Sequence, residues 1–138
     1  MEGTRQDSRL RRGFLWLYVI AALVVVVGVL LQAFSIAAYI RGAGSGALDM
    51  HKTVGFITHD VEIIVFLAAL VAYWGSWRRV GLAFLLPLIG TIQVFLIGDT
   101  DKSGGWINGL HGLFALVVLL LAVVLAKDGI RSLKRRPI

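Results

Sequence analysis

Four apolar stretches, each long enough to cross a lipid bilayer, take up most of this 138-residue chain. They run over about 13–40, 51–77, 80–97 and 106–126. A spanning helix needs roughly 20 predominantly apolar residues at 1.5 Å rise each. Inside lipid the helix satisfies all of its own backbone polar groups. The expected fold is therefore all-α: a four-helix transmembrane bundle, one membrane domain, flanked by basic tails at 1–12 and 127–138. Composition agrees, at 58% hydrophobic and 16% charged, where a soluble domain sits near 45–50% and about 25%. The first segment is too long for the 7–15-residue core of a secretory signal and lacks a small-residue cleavage site, so it reads as an uncleaved span.

The placement of the positive charges orients the bundle. Arg5, Arg9, Arg11 and Arg12 precede the first segment, and Arg78 and Arg79 separate the second from the third. Lys127, Arg131, Lys134, Arg135 and Arg136 follow the fourth. On the other side stand Arg41, Lys52 and Lys102. This eleven-to-three division across short loops predicts that both termini are cytoplasmic. It also assigns the +6 formal charge to the bilayer rather than to nucleic acid. The absence of cysteine removes disulfides, thiolate metal sites and iron–sulfur clusters. No phosphate loop, nucleophile elbow or paired-histidine zinc motif is present.

The short link between the second and third segments makes those helices antiparallel neighbours, with Tyr73, Trp74 and Trp77 as an interfacial belt. Pro87 interrupts the third segment. The Gly-rich stretch RGAGSGALDM (41–50) forms one external loop, and DTDKSGG (99–105), with Asp99 and Asp101, forms the other.

The second segment carries His51, His59, Asp60 and Glu62, and the fourth carries His111. Ionisable groups inside a membrane cost roughly 2.5–3.5 kcal/mol each when charged at the helix centre, and they mark functional candidates. Their depth follows from the distance along each helix to its basic flank. Gln32 lies 20 positions from Arg12 and His59 lies 19 from Arg78, while Gln93 is 14 from Arg79 and His111 is 16 from Lys127. All four then stand roughly 21–30 Å above that flank, and His51 roughly 40 Å above it. One polar residue per helix at similar depth is a layer across the bundle.

A haem b held between two histidines meets the demands of such a layer, with imidazoles from facing helices as axial ligands. Depth selects His59 with His111, and His51 is the alternative. Gly55 and Gly112 would let a flat macrocycle approach the backbone, Gln32 and Gln93 supply polar neighbours, and Lys52 could meet propionates. Simple interhelical hydrogen bonding, at about 0.6 kcal/mol, competes with this reading. Asp60 and Glu62 are candidates for a proton or ion pathway, since at about 100° per residue Glu62 lies about 60° from His59. A non-haem metal site from His59, Glu62 and His111 is a sharper variant. A non-catalytic subunit of a larger membrane complex is a third class of function. GVLLQ (28–32) and GTIQ (90–93) each precede a histidine-bearing helix, which suggests two related helix pairs.

ALDMHKTVG (47–55) and NGLHGLFAL (108–116) resemble the two ligand-bearing helices in one half of the haem A synthase family. The chain is also similar to a group of small four-helix bacterial membrane proteins with a His-Lys/Arg-x-x-Gly-x-x-x-His arrangement. The resemblance implies a multi-pass protein of the bacterial inner membrane. It also implies His51 with His111 as axial ligands and Asp49 as a nearby acid. The chain departs from the family at Lys52, where arginine is usual, and in having no cysteine pair in the external loop. It spans one half of the eight-helix protein, so two haem sites would require a homodimer.

Overall fold

The computed structural model describes the backbone of residues 2–96 and 105–135 and the side chains of residues 9–96 and 109–135. Asp99, Asp101 and Lys102, and the side chain of Asn108, lie outside the described residues. Four helices make up the fold: α1 (Glu2–Ile40), α2 (Ser45–Ala72), α3 (Trp77–Leu96) and α4 (Gly105–Arg135). All four are long and apolar enough to cross a membrane. This is the integral membrane bundle that the hydropathy pattern predicts.

The helix boundaries depart from the sequence expectation at both ends of α2, at the start of α1 and at the end of α4. The Gly-rich loop shortens to residues 41–44, and α2 begins at Ser45, six residues before His51. At its other end α2 stops at Ala72, because Gly75 adopts φ 87° and closes a turn in which the Ser76 N–H donates to the Tyr73 carbonyl at 2.7 Å. Arg78 and Arg79 therefore sit in the first turn of α3. The described residues of both basic tails are helical, extending α1 back to Glu2 and α4 on to Arg135. Their Arg, Lys, Leu and Gln residues are good helix formers, and no proline interrupts α4 before Pro137.

The helices close into a ring, α1 against α2 and α4, and α3 against α2 and α4. This leaves α2 and α4 facing one another diagonally across the interior. Burying leucine against leucine gains little in lipid, so association relies on close backbone approach and interhelical hydrogen bonds. The interior follows that rule: Ala22, Ala69, Ala83 and Ala122 are fully buried, while Leu23, Leu67, Phe84 and Leu120 face outward. Gly28 of α1 shows how tight the approach is. A Cβ there would overlap the Thr58 hydroxyl of α2, which itself donates to the Val54 carbonyl at 2.7 Å.

At the basic end one cluster ties all four helices together. The Tyr73 hydroxyl, just beyond α2, donates to Ser132 Oγ of α4 at 3.3 Å. The Tyr18 ring of α1 meets Tyr73 edge-on at 5.3 Å between centroids. Arg79 of α3 lies 4.8 Å from the Tyr73 ring centroid and pairs with Asp128 of α4, Nε to Oδ2 at 3.3 Å and Nη2 to Oδ1 at 3.4 Å. Arg79 and Asp128 are each more than a third exposed, so the ion pair contributes at most about 1 kcal/mol. Its larger role is to set register.

Burial raises the Tyr73 phenol above its ordinary value of about 10, an effect that the Ser132 hydrogen bond partly offsets. The folded state thus favours the protonated phenol. The resulting stability is complete below about pH 10 and is lost as pH rises through the raised value. Thermal unfolding of detergent-solubilised Tyr73→Phe should show a loss of about 1 kcal/mol at neutral pH and a weaker alkaline decline than the native chain. An unchanged alkaline decline would assign it to other groups.

Candidate functional site

The basic-end cluster decides which residues share a level at the far end. Twenty-two residues separate Tyr73 from His51, and 21 separate Ser132 from His111. Both histidines therefore stand roughly 30 Å from the cluster. His59 is 14 residues from Tyr73, or roughly 21 Å. Depth counted from Lys127 and Arg78 selects His59 because it takes the start of each basic run for the helix end. In the fold α4 continues past Lys127, and Arg78 belongs to α3.

His51 and His111 accordingly face each other across the diagonal, with ring centroids 6.2 Å apart and planes at 73°. The Nδ1 of His51 lies 3.0 Å from the Gln32 carbonyl of α1. A carbonyl only accepts, so Nδ1 carries the hydrogen and the neutral ring presents an Nε2 lone pair. On α4 the Gln93 amide of α3 donates to the His111 carbonyl at 2.9 Å, which holds that turn in place. The Nδ1 of His111 is buried and lacks a hydrogen-bond partner among the described residues. An orphaned buried nitrogen is costly unless something else binds it.

Gln32 and Gln93 occupy matching positions, one on each helix preceding a histidine-bearing helix. The Gln32 side chain also packs on Gly55, whose Cβ would stand 3.1 Å from Oε1. A Cβ on Gly112 would meet nothing within 4 Å, so the side of α4 next to His111 is open. Lys52, Asp49 and Arg41 are exposed near the same end.

His59 belongs to a different site, between α2 and α3. Its Nδ1 lies 2.9 Å from Glu62 Oε2, and its Nε2 is 3.4 Å from the Thr91 hydroxyl. Glu62 is 2% exposed. Gly90 makes room for the pair: a Cβ there would overlap Glu62 Oε2 and stand 2.7 Å from His59 Nδ1. Asp60 points outward from α2 and is exposed beside Phe56, Ile57 and Ile64. The three-ligand set of His59, Glu62 and His111 is not assembled, and no group of three or more His, Asp or Glu suited to a metal occurs among the described residues.

In line, two metal–imidazole bonds of about 2.0–2.1 Å put ring centres roughly 6 Å apart. The His51–His111 separation of 6.2 Å matches that spacing. The fixed tautomer of His51, the orphaned His111 nitrogen and the open flank at Gly112 fit the same arrangement. Sequence reasoning missed the Gly90 niche, the Thr91 contact and the basic-end cluster, since none carries a local motif. Comparison with family models, curated proteins and solved structures finds no match to this chain.

The Gly90 niche makes a prediction. Gly90→Val should break the His59–Glu62 bond and lower stability by about 1–3 kcal/mol. Gly81→Ala, where a Cβ would meet nothing within 4 Å, should be neutral or slightly stabilising. Equal melting temperatures for the two variants in detergent would show that the niche is not close-packed.

Proposed function

We propose that this chain is a small b-type haem protein of the membrane, serving electron transfer or haem handling, in which His51 and His111 would hold the haem. The observation that carries the proposal is the pair of opposed imidazoles, 6.2 Å apart on diagonal helices. The His51 ring is held there by the Gln32 carbonyl in the tautomer that a metal ligand requires. The resemblance of residues 47–55 and 108–116 to haem A synthase helices selects the same two histidines.

A bound haem would supply one-electron chemistry, and the chain supplies ligands, orientation and a low-dielectric shell. Gln32 sets the tautomer of one ligand, and Gln93 fixes the backbone of the other. Gly112 leaves the flank of α4 free, and Lys52 and Arg41 are exposed cations at this end that could pair with carboxylates. With no cysteine in the chain, haem would be held without a thioether link. The eleven-to-three charge division supports cytoplasmic termini, which puts this site near the external side. The bacterial inner membrane is the setting that the family resemblance implies.

One observation favours packing against a further chain, either a homodimer partner or a larger membrane complex. Asp60 is exposed midway along α2, among apolar side chains. Ionisable residues within a membrane rarely face lipid.

Absorption spectra of protein made with ample haem test the assignment. The native chain should show a Soret band of a six-coordinate, bis-imidazole haem. His51→Ala and His111→Ala should each lose the six-coordinate form, and His59→Ala should keep it. Colourless protein that takes up no added haem overturns the proposal and leaves the non-catalytic subunit. Loss of the spectrum in His59→Ala, with retention in His51→Ala, overturns the choice of ligand.

A further inference from the structure

The α2–α3 interface holds a polar site that the haem proposal does not use. Glu62 is buried against Gly90, His59 lies beside it with its side chain 22% exposed, and Thr91 meets His59 from α3. We infer that His59 and Glu62 form an intramembrane proton-binding pair that exchanges with the histidine end of the bundle and is sealed from the basic end. The inference does not depend on haem.

Hydrogen-bond matching shows how many protons the pair holds. The Thr91 hydroxyl donates to the Pro87 carbonyl at 2.8 Å, closer than its 3.4 Å contact with His59 Nε2. Thr91 therefore meets the ring with a lone pair, and Nε2 carries a hydrogen. On the other edge of the ring, the 2.9 Å contact between Nδ1 and Glu62 Oε2 needs one proton between the two atoms. Whether that proton rests on nitrogen or on oxygen, the pair has zero net charge, the state that a low-dielectric site favours. Removing it leaves two acceptors facing each other and a bare carboxylate inside the membrane. The site binds that one proton and releases it to water as a unit.

The surroundings contribute no competing charge. α1 has no Asp, Glu, Lys, Arg or His between Gly13 and Ile40, nor has α3 between Val80 and Leu96. From Gly109 to Ala126, α4 offers His111 alone, and that ring faces His51. The groups that α3 presents to the pair are Gly90 and Thr91, neither of which titrates. Asp60 is turned away on the outward face of α2.

Access is one-sided. Moving along α2 from Glu62 towards the basic end, the interior is filled by Val65, Ala69, Ala83, Leu86, Ala122 and Leu125, all at most 2% exposed. Eleven residues separate Glu62 from Tyr73, roughly 16 Å of helix, and this layer has no side chain that could relay a proton. In the opposite direction His59 and then Thr91 lead from Glu62 towards the level of Gln93 and His111. The site loads and unloads from one face and does not conduct.

Two measurements on full-length protein in liposomes test this. The chain has three histidines, so ¹⁵N-histidine NMR resolves each ring, with His59→Asn as the assignment control. The His59 ring signals should change with bulk pH, and the strongly hydrogen-bonded proton at Nδ1 should disappear in Glu62→Gln while the His51 and His111 signals persist. In liposomes loaded with a pH-sensitive dye, proton flux after a pH jump should be the same for the native chain, Glu62→Gln and protein-free vesicles. His59 signals that do not respond to pH, or a shared proton that survives in Glu62→Gln, would overturn the binding site. A flux that Glu62→Gln abolishes would overturn the seal and establish a continuous pathway.

Discussion

The alignment of α2 with α4 is the constraint on which the candidate site depends. These helices face each other diagonally, and what aligns them lies at the basic end, where Tyr73 bonds Ser132 and Arg79 bonds Asp128. From that anchor the two helices run almost equal lengths to His51 and His111. A slip of one turn would move one ring by about 5.4 Å relative to the other, enough to separate them. No single contact in the cluster is strong, since the hydrogen bond contributes about 1 kcal/mol and the exposed ion pair no more than that. Their effect is positional because they act together on all four helices.

Lipid changes what holds such a bundle together. Without a solvophobic force between helices, the structure relies on small residues that let backbones approach and on hydrogen bonds between helices. Alanine fills much of the basic half, and Gly28 admits Thr58 where a larger residue would push α1 from α2. The other half is more polar, with Gln32, Gln93, His51, His59, Glu62 and His111 linking neighbouring helices or facing across the bundle. This division puts the tight, apolar packing at one end and the chemistry at the other. It also separates the two polar sites: His51 and His111 meet across the diagonal, and His59 and Glu62 lie at the α2–α3 interface.

Much of the fold was legible in the residues. The four spans follow from hydropathy and length, and their ends were placed within about three residues except at the two ends of α2, off by six and five, and where the tails continue as helix. His111 was legible as a functional candidate because it is the sole histidine outside the second span, and Glu62 because its spacing from His59 puts the two on one face. The partner of His111 was not legible by depth counting. Helix ends had to be inferred from basic residues, and in α4 the helix runs several residues beyond Lys127. The motif similarity around His51 pointed to the same two histidines whose rings lie near each other in the fold, and it needed no estimate of the helix ends. Gly90 carried no signal, because its significance lies in the side chains opposite it.

The sequence by itself determined that the chain crosses a membrane four times as helices, with its basic residues gathered at one end. Those properties follow from composition along the chain and from the need to satisfy backbone hydrogen bonds in lipid. Which polar residues meet was decided only by the tertiary structure. That outcome depends on rotation and axial slide between helices, quantities fixed by contacts such as Tyr73 with Ser132 and Gly28 with Thr58, between residues distant in the sequence.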